Sequence, residues 1–417
     1  MDLVVGLAIV LGLYTAFSIG ANDVANAMGT SVGSRALSLR GAILVAAVFE
    51  FAGAYLVGGH VTETIRGGIL DPAIVGERPD VVIAGMLAAL TAAGTWLIVA
   101  SRLGWPVSTT HAIVGAIAGF GMVALGWSAV EWGELGRIVS SWVISPILSG
   151  SLAIVIFTVT RRLILDHDDP VRQLQRWGPL YVFAVIAVIG MVTLFKGLKN
   201  LKLDFSLGEA MLITGVLGAV GASIAALLLR RLRPDPAADK SFHFATVERM
   251  FAALQVMSAC AVAFAHGSND VANAIGPMAA VLGTWGGSVV EAEAPVPGWI
   301  LLVGGAGIVV GLSTLGYRVM ATIGERITEL TPTRGYAAEF AAAVTILLAS
   351  QLGLPVSTTH TLVGAVLGVG LARGIGALDF RVIGTIVLAW VVTIPVGGAL
   401  AIFFYYFYKG LLDLGGA

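Results

Sequence analysis

The chain has 417 residues, 57% of them hydrophobic and only 12% charged, with a net charge of −1 and a mean hydropathy of +0.93. A soluble domain carries about 25% charged residues, so the shortfall excludes a solvated globule and implies that lipid covers most of the outside. Near-neutral charge offers no basic field for nucleic acid, and the single cysteine, Cys260, excludes a disulfide framework or a cysteine metal cluster.

Met1 and Asp2 precede an apolar run at 3–19 with no Lys or Arg ahead of it. It lacks the basic start of a signal peptide and is expected to remain as a transmembrane helix. The run leads straight into GANDVANAMG at 20–29, and the first helix is expected to stop there. A second span is expected at 41–59 with Glu50 at its centre, then a loop at 58–80 rich in Gly, Pro and charge, then a third span at 81–100. In the following stretch, Pro106 and a cluster of hydroxyls interrupt apolar sequence too short on either side to cross a bilayer, which reads as a broken or re-entrant helix. Spans at 138–159, 180–195 and 207–229 follow, with a charged loop at 161–176.

The segment at 230–248 is the most hydrophilic in the chain and divides it into a first repeat at 1–160, connecting spans and loop at 161–247, and a second repeat at 248–417. An apolar run at 249–265 leads into GSNDVANAIG at 267–276, and 299–315 spans. Residues 337–349 lead into a second PVSTTH segment, and 382–408 closes the chain, with Tyr405, Tyr406, Tyr408 and Lys409 suited to an interfacial anchor. The apolar segments are continuous, not alternating, so the fold class is all-α and polytopic, with about 10–12 transmembrane segments and no β-barrel.

The two NDxxN stretches match at eight of ten positions, and 106–119 matches 355–368 at ten of fourteen. Asp23 precedes Ser108 by 85 residues and Asp270 precedes Ser357 by 87, so the order and spacing of the motifs repeat. Duplicated polar interruptions in membrane segments mark a transporter whose site lies where the repeats meet. One such motif alone would read equally well as hydrogen-bond glue between helices, and one PVSTTH as a proline kink; duplication with a carboxylate favours a binding site.

A helix ending at GANDVANA presents carbonyls beside the side-chain oxygens of Asn22, Asp23 and Asn26, which are ligands for a hard cation; Asn269, Asp270 and Asn273 repeat the set. A short helix beginning at PVSTTH presents free N–H groups and the hydroxyls of Ser108, Thr109 and Thr110, or of Ser357, Thr358 and Thr359, which suit an oxyanion. No Lys or Arg lies in any of the four motifs, so a bound tetrahedral anion must be balanced by co-bound cations or protons that neutralise Asp23 and Asp270. This is obligate symport in outline. His111, His360 and His266 read as structural histidines ahead of proton relays, Glu50 as functional or gating, and Glu339 as a carboxylate near a helix start, stabilised by the helix dipole.

GANDVANA, GSNDVANA and the two PVSTTH segments resemble the inorganic phosphate transporter (PiT) family, the type III sodium/phosphate symporters, over both halves of the chain. The resemblance implies two inverted repeats with re-entrant hairpins, a homodimer, and phosphate carried with Na⁺ or H⁺, with no other cofactor. It places Asp23, Asn26, Asp270 and Asn273 at the ion and phosphate site, with Na⁺ at Asn26 and Asn273, and the Ser and Thr hydroxyls on phosphate. It also marks Glu50, Gln255 and Glu339 as coupling or gating positions. A neutral metal–phosphate complex is a variant cargo, and sulfate or another tetrahedral oxyanion is the alternative. An intramembrane hydrolase built on Ser108 or Ser357 and a passive anion channel are disfavoured, and the sequence has no GxxxxGK[ST] loop for ATP.

Lys and Arg set the orientation. Arg161, Arg162, Arg172 and Arg176 fall in one loop and Arg230, Arg231, Arg233 and Lys240 in another, two spans apart, so both are expected on the cytoplasmic side of the inner membrane. The second half then enters from the cytoplasm, and with the inverted repeats that the resemblance implies the first enters from outside, which places Met1 there.

Overall fold

The computed structural model describes residues 3–195, 205–231, 244–285, 296–317, 319–320, 323 and 327–412. Arg233, Lys240 and most of the hydrophilic segment at 230–248 lie outside the described residues, as does Met1. Among the described residues there is no β-strand, only an isolated bridge between Leu70 and Val130. Eight helical segments among the described residues are long and apolar enough to cross a membrane, and Thr109–Ala124 and Gly298–Thr314 are shorter apolar helices. The protein is an all-α integral membrane protein.

The helices of the first half are α1 (Leu3–Gly33), α2 (Leu39–Val57), the short α3 (Gly59–Gly67) and α4 (Pro72–Glu77), α5 (Pro79–Leu103), α6 (Thr109–Ala124) and α7 (Trp132–Thr160). A hairpin of α8 (Pro170–Phe195) and α9 (Leu207–Arg230) follows. The second half has α10 (Ala245–Asp270), α11 (Ala272–Trp285), α12 (Gly298–Thr314), α13 (Pro332–Gln351), α14 (Thr358–Arg373) and α15 (Phe380–Leu411). The expected loop at 58–80 therefore carries two short helices. The charged loop at 161–176 contracts as well, because α7 runs on through a π-helical turn, Arg161–Leu165, and α8 starts at Pro170.

The halves pack as mirrored partners. α1 packs on α12 as α10 packs on α2, α1 on α5 as α10 on α13, and α6 on α15 as α14 on α7. All but the α1–α5 and α10–α13 pairings cross between repeats, and each half's re-entrant helix is held by the other half's long helix. Glycine makes the closest crossings possible. A Cβ on Gly20 would overlap the Ile308 backbone carbonyl and one on Gly311 that of Phe17; the counterparts are Gly267 on Glu50 and Gly53 on Phe264.

The broken helices form as their sequences direct. α5 ends at Gly104 with φ 69° and α13 is followed by Gly353 with φ 66°, left-handed conformations that glycine adopts freely. A short extended stretch follows each, and Ser108 or Ser357 then caps α6 or α14 by accepting a hydrogen bond from the N–H of His111 or His360, both at 3.2 Å.

Two expectations fail here. α1 does not stop at GANDVANA but continues to Gly33, and the second copy is interrupted only at Val271, between α10 and α11. The first motif therefore offers side chains, not helix-end carbonyls, whereas α10 does end within the second, at Asp270. Asn22 and Asn26 find partners across the fold, so the ladder of α1 has no reason to open. At the other end, Tyr405 and Tyr408 face inward, with the Tyr408 hydroxyl 2.9 Å from that of Thr91, and only Tyr406 of the three is exposed.

Candidate transport site

All four motifs meet in the middle of the molecule, on side chains that are at most 2% exposed. Each Asp takes a hydroxyl from its own half: Thr109 donates to Asp23 Oδ2, and Thr358 donates to Asp270 Oδ2 at 2.7 Å. Each Asn reaches into the other half. Asn26 Nδ2 donates to Thr359 Oγ1 at 2.8 Å and to Thr358 Oγ1 at 3.4 Å, and Asn273 Nδ2 donates to Thr110 Oγ1 at 3.3 Å. Thr110 in turn donates to the Val356 carbonyl at 3.1 Å and Thr359 to the Val107 carbonyl at 3.0 Å, tying each hydroxyl turn to the other half's extended stretch.

Asp23 Oδ1, Asp270 Oδ1, Asn26 Oδ1 and Asn273 Oδ1 remain buried with no hydrogen-bond partner in the protein. Four inward oxygens of this kind, two of them on carboxylates, are what a hard cation needs. Beside them lie the N-termini of α6 and α14. The backbone N–H groups of Thr109, Thr110, Thr358 and Thr359 fall in first turns, where the helix supplies no acceptor. Oxyanion donors and cation ligands thus adjoin one another.

Asn22 stands apart from this set, and Asn269 shares only its unpartnered Oδ1 while its amide is spent elsewhere. Asn22 donates to Ser101 Oγ and to the Trp105 carbonyl, both at 3.1 Å, and its Oδ1 accepts from Val107 N at 3.3 Å. Asn269 donates to Ser350 Oγ at 3.1 Å and to the Leu354 carbonyl at 3.3 Å. Both hold the extended stretches ahead of the hydroxyl turns. Ser101 and Ser350 were missed in the sequence, although they hold equivalent places in the two repeats.

His111 and His360 meet where the re-entrant helices approach, with ring centroids 4.4 Å apart and Trp142 and Trp390 packed outside them. A carbonyl can only accept, so each Nδ1 carries the proton: His360 donates to Trp142 O at 3.2 Å and His111 to Trp390 O at 3.3 Å. Pro146, four residues beyond Trp142 and lacking an N–H, leaves that carbonyl unpaired within α7.

The glutamates lie elsewhere than a linear reading places them. Glu339 is not in the first turn of α13; it is wholly buried and caged by donors from α1 and α10. Its Oε1 accepts from Thr30 and Ser31, both at 2.6 Å, and from Gln255 Nε2 at 3.0 Å, and its Oε2 accepts from Ser258 at 2.7 Å. Gln255 Oε1 accepts from Ser34 at 2.6 Å. Side-chain donors, not a helix dipole, hold this carboxylate. Glu50 faces His266, with Oε2 3.3 Å from Nδ1, and His266 Nε2 is 3.0 Å from Asp270 Oδ2. These contacts are close, but neither has hydrogen-bond alignment. His266 and Glu50 were both visible in the sequence; their meeting at Asp270 was not.

The phosphate transporter family matches residues 19–401. Over 411 residues the chain is 46% identical to a protein of Haemophilus influenzae assigned as a phosphate permease, covering 98% of this chain and 97% of that one. It is also 46% identical over 427 residues to inorganic phosphate transporter 2-1 of the Arabidopsis thaliana chloroplast, covering 97% of this chain and 72% of the relative. Among solved structures it superposes on a sodium-dependent phosphate transporter with a TM-score of 0.91 at 39% identity, covering 98% of this chain and all of that one. A match of this extent, carried by both pairs of motifs, shows that the chain belongs to the phosphate transporter family.

Proposed function

We propose that this chain imports inorganic phosphate by symport with Na⁺, and that cation binding is what frees the phosphate donors. The observation that carries this reading is the pair of Thr–Asp contacts. In the described conformation the hydroxyls of Thr109 and Thr358 are spent on Asp23 and Asp270. A cation that takes over those carboxylates, with the amide oxygens of Asn26 and Asn273 as further ligands, releases the two hydroxyls. They turn to phosphate beside the first-turn N–H groups and the hydroxyls of Ser108 and Ser357. Without the cation, an anion would meet two carboxylates and donors already in use. The near-complete burial of the site makes this an occluded state.

Glu339 with Gln255, and Glu50 with His266, are coupling or gating groups in this proposal. The boundaries at 1–160, 161–247 and 248–417 separate the functional repeats from the connecting hairpin. The cytoplasmic placement of the Arg-bearing turns after α7 and α9, in an inner membrane with the N-terminus outside, follows from their charge. The exposed apolar face of α9, including Met211, Leu212, Val216 and Val220, suits lipid and the contact of a homodimer.

Labelled phosphate uptake into proteoliposomes, with Na⁺ and pH gradients imposed independently and sulfate as competitor, tests the reading. Uptake that follows the Na⁺ gradient and resists sulfate supports it. Uptake unchanged without Na⁺ and driven by pH alone replaces Na⁺ with H⁺ as the coupling ion, and competition by sulfate removes the assignment to phosphate.

A further inference from the structure

The symmetry of the site breaks directly beside the aspartates. Ile19 precedes the first GANDVANA where His266 precedes the second GSNDVANA. The helix crossings that set Gly20 against Ile308 and Gly267 against Glu50 make Ile308 the counterpart of Glu50. The crossing of α2 on α10 thus carries a buried carboxylate and imidazole where the equivalent crossing of α1 on α12 carries two isoleucines. His266 Nε2 turns toward the aspartates and Nδ1 toward Glu50.

Ligand atoms of Asp23, His266 and Asp270 all lie within 4.8 Å of one another. A metal with tetrahedral ligands at 2.0–2.1 Å holds them about 3.3 Å apart, so small rotations of the two carboxylates close the set. Asp23 Oδ1 and Asp270 Oδ1 are buried and unpartnered, free to take up ligation. Glu50 Oε2, 3.3 Å from Nδ1, stands where a small rotation makes it the outer carboxylate that orients a metal-binding histidine and raises its basicity. Na⁺ has no use for a nitrogen ligand, whereas imidazole beside carboxylates suits first-row divalent ions.

We infer that Asp23, His266 and Asp270, with Glu50 supporting His266, form a site for one divalent transition-metal ion per chain, in competition with the coupling cation. The inference rests on reading Asp23 and Asp270 as the cation site, and the asymmetry sets the stoichiometry at one, not two.

Cobalt(II) is the probe, titrated into the purified full-length protein in choline buffer without phosphate. The expected result is ligand-field absorption that saturates at one equivalent and is displaced by Na⁺. His266→Gln abolishes the absorption. Glu50→Gln, which leaves all three ligands, weakens binding about 10- to 100-fold, as loss of an outer-shell partner does. No saturable binding to the wild-type chain, two equivalents, or binding that Glu50→Gln leaves unchanged overturns the site. The Glu50 and stoichiometry results decide the matter even if the His266 variant does not fold. Sodium-driven phosphate uptake in chelator-treated proteoliposomes separates the two readings: uptake without cobalt binding sinks this inference alone, and cobalt binding without uptake sinks the transport reading alone.

Discussion

Replacing Thr358 by valine keeps the shape of the side chain and removes one hydroxyl, the one that donates to Asp270 Oδ2 at 2.7 Å. A hydrogen bond to a charged group contributes about 1.5–3 kcal/mol. If that hydroxyl passes from Asp270 to phosphate when a cation arrives, its loss has opposite effects on the two ligands. Phosphate loses a donor, and since each 1.4 kcal/mol is a factor of ten, its apparent affinity falls about 10- to 100-fold. Na⁺ gains, because the Asp270 carboxylate no longer has to surrender a bond before ligating it, so the Na⁺ concentration for half-maximal uptake falls or stays level. Initial rates of labelled phosphate uptake, measured over a grid of Na⁺ and phosphate concentrations in proteoliposomes, separate the two constants. Parallel weakening of both ligands would refute the exchange, as would an unchanged phosphate constant.

Asn22→Ala removes three hydrogen bonds that pin the stretch ahead of Ser108, and thermal unfolding in detergent is expected to show a loss of about 3 kcal/mol. Gly267→Ala drives a methyl into the Glu50 backbone carbonyl, so α10 and α2 must separate; a cost of about 1–3 kcal/mol should appear in the same assay, and a neutral result would contradict the crossing. Glu339→Ala strands the donors on Thr30, Ser31 and Gln255 in the interior, at about 1–3 kcal/mol each, whereas Glu339→Gln keeps one acceptor oxygen and should unfold at a clearly higher temperature than the alanine variant. Equal loss in the two would mean that charge, not hydrogen bonding, holds the cluster.

What the linear sequence disclosed was whatever is local or duplicated. Gly104 and Gly353, each followed by a proline and a run of hydroxyls, announce a helix that breaks and restarts, and the two NDxxN motifs announce that the break matters twice. Whether a polar motif ends its own helix is another matter. α1 survives GANDVANA because Ser101, the Trp105 carbonyl and Thr359 wait across the fold for Asn22 and Asn26, and no periodicity in 3–33 records those partners. Glu339 is misplaced for the same reason. Its position near the start of an apolar run suggests dipole stabilisation, while its donors come from helices about 80 and 300 residues away. The meeting of Glu50, His266 and Asp270 depends on the glycine crossing of α2 on α10, which brings a mid-span carboxylate to a histidine over 200 residues later.

The ordering of the ligands is the claim on which the account stands, and equilibrium binding of labelled phosphate to the purified protein, with Na⁺ replaced stepwise by choline, tests it most directly. Phosphate should bind only as Na⁺ rises, and Asp270→Asn should shift that dependence. Phosphate bound equally well in choline would mean that the carboxylates need no cation before the anion enters, and the coupling described for Thr109 and Thr358 would be wrong.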